Sequence, residues 1–204
     1  MTTTADFWNT GVDEEKIIGG PARVLVARKS ATTYPELLSD ILNLTTYNPA
    51  ANWSDVGHTS EPFNMSDGFE TTEWISQQAG RINVQVGNWN RAVSFTMMQT
   101  LTNVVMDLAH EADGRTTNAD GDTVEYFWDK PEVTEWRVAA IHLVEDESAG
   151  ANLVADVFPY CKRSGDDSET AYDRTNPQTA SISVTPLPDE DVPYNANWYR
   201  IRQL

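Results

Sequence analysis

Arg81-Ile82-Asn83-Val84-Gln85-Val86-Gly87-Asn88-Trp89-Asn90-Arg91-Ala92-Val93-Ser94-Phe95-Thr96-Met97 is the stretch whose reading decides the fold. Apolar residues fall at Ile82, Val84 and Val86, and polar ones at Arg81, Asn83 and Gln85. That period of two predicts a half-buried strand. The alternation resumes with Trp89, Arg91, Val93, Phe95 and Met97 on one side and Asn90, Ala92, Ser94 and Thr96 on the other. Gly87-Asn88 between them has turn chemistry, so the stretch reads as two strands joined tightly. From Met98 the period lengthens. Met98, Leu101, Val104, Val105 and Leu108 lie three or four residues apart and predict an amphipathic helix, with Thr96-x-x-Gln99 as a capping box at its start. A sheet with one wet face and a helix over the other describes a scaffold more than a pocket.

Outward from there the chain reads as further short strands. After the break at Gly19-Gly20-Pro21, residues 22–27 form a strand through Val24, Leu25 and Val26. Residues 34–42 predict a two-turn helix with Pro35 in its first turn. Residues 43–68 are rich in Asn, Thr, Ser, Pro and Gly, with only 53–56 hinting at a strand. A loop that long inside a compact domain is a candidate interface between subunits or rings, and Trp53, His58 and Phe63 are its candidate contact residues. Residues 109–122 are acidic and turn-rich, 124–128 and 133–144 read as strands around Asp129-Lys130-Pro131, and 153–162 as another. A polar stretch at 163–178 precedes two last strands at 180–185 and 197–203. The sum is a mainly β protein of about seven to nine antiparallel strands, a β-sandwich or barrel with one flanking α-helix. One domain spans 1–204, and residues 1–18 are a polar N-terminal arm with Phe7 and Trp8 as aromatic anchors for assembly.

Composition narrows the partners. The 204 residues include seven Trp, six Phe and seven Tyr, enough large side chains for a well-filled core. Asp and Glu number 31 against 14 Lys and Arg, a formal net charge of -17 spread along the chain. Such a surface repels nucleic acid and anionic lipid at moderate salt. The acid is Asp-rich and the base Lys-poor, a composition seen where proteins stay soluble at very high salt. The N-terminus lacks the basic start and apolar run of a signal peptide, and the most apolar stretch, residues 138–144, is far too short to span a membrane. A protein made in the cytoplasm and kept there, or released by lysis, is expected.

Chemistry is hard to assemble from these residues. The three histidines, His58, His110 and His142, lie near no serine in a nucleophile arrangement, and no G-x-S-x-G elbow occurs. His142 alternates with Ala140 and Val144 as an ordinary strand residue, and His110 suits the C-terminal end of a helix. Neither a dinucleotide glycine fingerprint nor a Walker loop is present. Asn118-Ala119-Asp120-Gly121-Asp122 resembles part of a calcium loop, but with Gly121 central the bidentate position falls on Phe127, so a solvated hairpin is the better reading. Glu70 and Glu73, considered as an acid and base pair, fall on opposite faces of one strand. Cys161 is the only cysteine, which excludes an intrachain disulfide and suits a small buried side chain. No enzyme, cofactor or metal site is expected.

Several pieces in order carry a resemblance. Gly20-Pro21-Ala22-Arg23-Val24-Leu25-Val26-Ala27 is similar to an opening strand, and Trp53-Ser54-Asp55-Val56-Gly57 to a W-x-D-[LV]-G turn. Phe69-Glu70-Thr71-Thr72-Glu73-Trp74-Ile75-Ser76-Gln77, Val84 to Val86, Val93-Ser94-Phe95-Thr96-Met97 and Thr100-Leu101-Thr102-Asn103-Val104 give a strand, strand, strand, helix succession. Val184-Thr185-Pro186-Leu187-Pro188-Asp189 with Tyr199-Arg200-Ile201 resembles a closing hairpin. Together they resemble the tail tube, or major tail, proteins of long-tailed viruses with non-contractile tails that infect bacteria or archaea. Residues 111–122 and 163–178 have no counterpart in that pattern and read as surface insertions.

The resemblance implies a virion protein, synthesised in the host cytoplasm, whose copies form hexameric rings stacked into a hollow tail tube. Its partners would be other copies of itself, a tape measure protein and then DNA in the lumen without tight binding, and terminator and distal tail proteins at the ends. Arg81, Asn83 and Gln85, with Glu70 or Glu73, are the candidates to face the lumen. Two other classes fit the sequence: a tail terminator or head decoration protein, and an acidic carbohydrate-binding sandwich using Trp53, Trp74, Trp89 or Trp198 to stack on sugars.

Overall fold

The structure, a computed structural model, describes residues 22–60, 62–76, 80–98, 102–111, 114–126, 133–146, 150–164, 169–171 and 178–203. For 70–76, 80–89, 114, 144–146, 150–152 and 169–171 it describes the backbone alone. The chain is mainly β and antiparallel. In order the elements are β1 (Arg23–Arg28), β2 (Ser54–Asp55), β3 (Asn64–Ser76), β4 (Gly80–Met97), the helix α1 (Asn103–His110), β5 (Gly114–Thr117), β6 (Thr123–Tyr126), β7 (Glu135–Asp146), β8 (Gly150–Arg163), β9 (Glu169–Ala171), β10 (Thr179–Pro186) and β11 (Tyr199–Arg202). One sheet runs β2-β1-β7-β8-β10-β4-β3, with β11 also on β8 and β9 on β10, while β5 and β6 pair separately.

The sheet folds over at β8. Its pairing with β7 is interrupted between Val138↔Phe158 and Trp136↔Cys161, so Pro159 and Tyr160 stand opposite Arg137 alone. Proline has no N–H to give a ladder, and a bulge is where a strand tolerates it. Beyond the bulge Cys161 to Arg163 pair with β10, while 154–157 pair with β11. The two layers enclose a first core in which Val24, Val26, Val138, Phe158 and Cys161 meet Val93, Phe95, Met97, Ile182 and Val184, closed at one side by Val105 and Leu108 of α1.

A second core lies on the other face of β1, β7 and β8, where Leu25, Ala27, Ala139, Ile141, Ala155 and Val157 pack under Leu38, Ile41, Leu42 and Trp53. The central strands β1, β7 and β8 are thus buried on both faces. The reason is the segment preceding β2: it folds across the sheet, and each buried Leu or Ile side chain there contributes about 1.5–3 kcal/mol relative to exposure. Residues 43–68 are correspondingly no free loop; they contain β2 and the start of β3.

Four local expectations are corrected. Residues 34–42 form only a 3-10 turn at Leu38–Asp40, because the Asp40 carboxylate accepts the Glu36 and Leu37 N–H groups at 3.1 and 2.9 Å and turns the chain before a helix can start. Gly87-Asn88 is not a turn. β4 runs through it, and the register passes from Phe69↔Trp89 to Thr71↔Val86, leaving two residues opposite Glu70. A bulge inserts one residue, which shifts a period-two pattern just as a turn would. The helix begins at Asn103, with Thr102 at its N-cap position; Thr96 belongs to β4 and shares a 2.9 Å hydrogen bond with Ser181 on β10. Finally, β10 and β11 do not pair with each other.

Candidate assembly surfaces

β3 and β4 make the longest ribbon, 13 residues against 18. β10 pairs with β4 only from Val93 to Met97. Among the described residues, β4 from Gly80 to Ala92 therefore has an open outer edge, and so does β3. At about 3.3 Å per residue the ribbon extends roughly 40 Å. Residues 64–69 are exposed in succession, so at its root β3 is wet on both faces.

A polar network fixes that root. Arg91 reaches Asp67 across the ribbon, its Nη2 donating to Oδ2 at 3.2 Å, and its Nη1 donates to Asn197 Oδ1 at 2.7 Å. The guanidinium groups of Arg91 and Arg200 both lie over the Trp198 ring, 5.1 and 5.7 Å from its centroid. Trp198 Nε1 donates to Asp156 Oδ1 at 3.0 Å, and Arg200 grips the same carboxylate through Nε and Nη2 at 2.8 and 3.0 Å. His142 Nε2 stands 3.6 Å from Asp156. Burial lowers the His142 pKa, Asp156 opposes that shift and Arg200 adds to it.

The ladder separates the residues named as lumen candidates. Asn83 pairs with Trp74, Arg81 pairs with Ile75, and Glu73 pairs with Val84. Gln85 pairs with Thr72, and a further bulge lies between Trp74 and Ile75. Directly paired residues share a face and successive pairs alternate. Asn83 and Gln85 hence occupy one register set, Glu73 and Arg81 the other, and Glu70 sits at the first bulge. Sequence alternation alone missed this because it does not see an inserted residue.

The interface candidates also divide. Trp53 is buried in the second core, so its ring works inside the subunit. Phe63 is half-buried, its ring 5.9 Å from both Phe95 and Phe158. His58 is exposed, and its carbonyl accepts the Met98 N–H at 2.9 Å, extending the row of β3 beside β4. Phe7 and Trp8 lie outside the described residues, as do the side chains of Trp74 and Trp89. Trp198, weighed for sugar stacking, is occupied by its two arginines and Asp156.

The smaller hairpin of β5 and β6 is fastened to α1 by Arg115, which pairs with Asp107 at 2.6 Å and Glu125 at 2.7 Å. Its acidic tip is closed by Asn118, whose side-chain oxygen accepts the N–H groups of Asp120 and Asp122. Among the described residues no group of three or more His, Cys, Asp or Glu is placed to hold a metal ion.

No family model matches the chain, and no curated protein matches it in sequence. Among solved structures, it is similar to a chain in the cryo-EM structure of the extended sheath-tube complex of PVC, an extracellular contractile injection system. The identity is 11%, over 91% of this chain and 94% of that one, with a TM-score of 0.39. So distant a likeness assigns no function, which has to come from the surfaces themselves.

Proposed function

We propose that this chain is a structural subunit that self-associates into a hollow tube, the tail tube protein of a virus with a long non-contractile tail, in stacked hexameric rings. The observation that carries the reading is the β3–β4 ribbon, both of whose edges are open among the described residues. A two-stranded ribbon is marginal alone in water, and an unpaired edge is a template for another chain. Ribbons joined edge to edge between copies form a ring if the rotation closes, and a second, non-closing contact stacks the rings.

Charge suits passage more than binding: a polar, acidic bore repels the phosphate backbone, so DNA moves without sticking. In this reading the tape measure protein and then DNA fill the lumen, and terminator and distal tail proteins meet the ends. The bore is lined by one of the two register sets. Glu73→Lys and Gln85→Lys separate them: the substitution that faces DNA slows genome delivery while tubes still form, and unchanged delivery with both removes the ribbon from the bore.

Electron microscopy of the purified protein at low and molar salt tests the reading directly. Hollow tubes or stacked rings are expected, more of them in molar salt where self-repulsion is screened. Single rings or trimers that never stack would instead favour a terminator or decoration protein.

A further inference from the structure

β3 runs from Asn64 to Ser76 without an inserted residue, because both bulges of the ribbon lie on β4: two residues stand opposite Glu70, and Ile82 is the extra one between Asn83 and Arg81. Odd and even positions of β3 therefore mark the two faces of the ribbon along its whole length, and each pairing assigns the matching residue of β4. The odd face holds Met65, Phe69 and Ile75 of β3 and, by register, Val84, Val86 and Trp89 of β4. The even face holds Ser66 and Thr72 with Asn83, Gln85 and Asn90. One face is apolar and the other polar.

The odd face continues a core. Met65 pairs with Val93, which is buried in the first core with Phe95 and Met97 of the same face of β4. Cover runs out just beyond. Met65 is 39% exposed and Phe69 54%, and between them Asp67 and Arg91 pair with each other, with Arg91 over Trp198. From Phe69↔Trp89 to Ile75↔Arg81 the odd face extends for roughly 20 Å further at about 3.3 Å per residue.

The layer of β1, β7 and β8 stands on the odd side, since its Val24, Val26, Val138 and Phe158 meet Val93 and Phe95 across the first core. When ribbons join edge to edge into a closed barrel, that bulky layer has room only outside it, so the even face turns to the bore. Strands of a closed barrel tilt by about 35–45°. Over roughly 20 Å such a tilt carries the ribbon sideways by roughly 10–15 Å, about two to three strand spacings, off its own body and over that of the adjacent copy. Charge agrees with this placement. The odd face sets Asp67 and Glu73 against Arg91 and Arg81 and is neutral, whereas the even face carries Glu70 alone. A neutral, apolar face meets a second copy of net charge -17 with little local repulsion.

We propose that the odd face of the ribbon seats on the body of the adjacent copy of this chain, and that the set of Thr72, Asn83 and Gln85 lines the bore, which leaves Glu73 and Arg81 at the interface between copies. This rests on the tube reading and decides, within it, which register set meets DNA. Val84 and Gln85 are neighbours on β4 that take opposite faces at the same depth, and because Cys161 is buried a thiol introduced at either position is the reactive one. The full chain carrying Val84→Cys or Gln85→Cys is treated with N-ethylmaleimide before and after assembly. Both thiols are expected to react in the lone subunit; in tubes Gln85→Cys goes on reacting and Val84→Cys is protected. Phe69→Ser, at a ring more than half exposed, is expected to keep the native circular dichroism and to raise the concentration needed for assembly by about tenfold or more. Tubes in which Val84→Cys reacts as fast as in the subunit, or in which Gln85→Cys is the protected thiol, overturn the face assignment and leave the tube reading standing. So does a Val84→Cys thiol already closed in the lone subunit, or assembly indifferent to Phe69→Ser. A chain that forms no rings or tubes at any salt fails the tube reading in the microscope, before any thiol is read, and this inference with it.

Discussion

Asp189→Asn probes the buried ion cluster at the base of the 189–195 loop. The carboxylate is fully buried, with Arg137 Nη1 3.0 Å from Oδ2 and Lys29 Nζ 3.1 Å from Oδ1. Arg137 is 2% exposed, and its other partners are the neutral carbonyls of Pro159 at 2.7 Å and Thr32 at 3.3 Å. Asparagine keeps the shape and one acceptor but leaves a buried guanidinium without a counter-charge. Removing one partner of a buried pair costs about 3–5 kcal/mol. Lys29 recovers part of this, being 21% exposed and 3.9 Å from Asp191, so a loss of about 3 kcal/mol is expected. With a urea slope of about 2 kcal/mol/M, that lowers the unfolding midpoint by roughly 1.5 M at unchanged slope. Asp191→Asn is the control: Asp191 is 69% exposed, and its loss should cost under about 0.5 kcal/mol. Burial alone would raise the Asp189 carboxyl, but Lys29, the Asp191 N–H and Arg137 outweigh it and hold the pKa below the usual carboxylate range. A depressed folded pKa means the stabilisation is complete above the unfolded value near pH 4 and fades as pH falls through the folded one. Asp189→Asn should lack that acid step. A loss under about 1 kcal/mol, or equal losses for the two variants, would refute the cluster as the support of this loop.

Phe63→Ala removes a ring that touches Phe95 and Phe158; since Phe63 is only half-buried, a loss of about 2–3 kcal/mol is expected, below the range for a full core Phe, and a denaturant melt reads it. Arg91→Ala should cost about 1–2 kcal/mol and loosen the ribbon root, seen as faster amide exchange at residues 66–69 and 90–92; unchanged protection there would deny the network that role. His142→Gln tests a pH dependence. Burial lowers the folded His142 pKa, so its contribution is intact above about pH 6.5 and is lost as pH falls through the folded value. The variant's urea midpoint should fall less than the native one between pH 7.5 and 5, with His110, lowered chiefly by burial, keeping part of the slope.

Much of the architecture was legible because burial on one face writes a period of two. β10 shows it plainly, alternating half-buried Thr179, Ser181, Ser183 and Thr185 with buried Ala180, Ile182, Val184 and Pro186. What the pattern hid has two physical causes. An inserted residue shifts the alternation as a turn does, which concealed the continuity of β4 through Gly87-Asn88 and the split between Asn83 and Glu73. Cover supplied by irregular chain leaves no period, which concealed the second core: Leu38, Ile41, Leu42 and Trp53 are spaced by a 3-10 turn and a loop, and only the fold brings them over β1. The left-handed backbone of Tyr194, at φ 63°, left no signal either, since Pro193-Tyr194-Asn195 reads as an ordinary turn until the backbone is seen.

In the proposed tube reading, the strand edges left open among the described residues and the net charge of -17 belong to one design. A subunit that must join copies through strand edges risks joining them anywhere and at any time, and natural sheets guard such edges with charge, bulges or cover. Here the ribbon carries two bulges, which limit where a second strand can continue the ladder in register. Charge guards the rest. Self-repulsion is long-ranged at low salt and collapses within a Debye length of about 8–10 Å at physiological ionic strength or somewhat below, whereas strand pairing acts at contact. Repulsion therefore raises the cost of first encounter more than it would weaken a completed strand-edge contact. On that reading nucleation would be held back and growth on an existing end favoured, the kinetic profile a tube needs if it is to extend from a defined start and not appear throughout the cell.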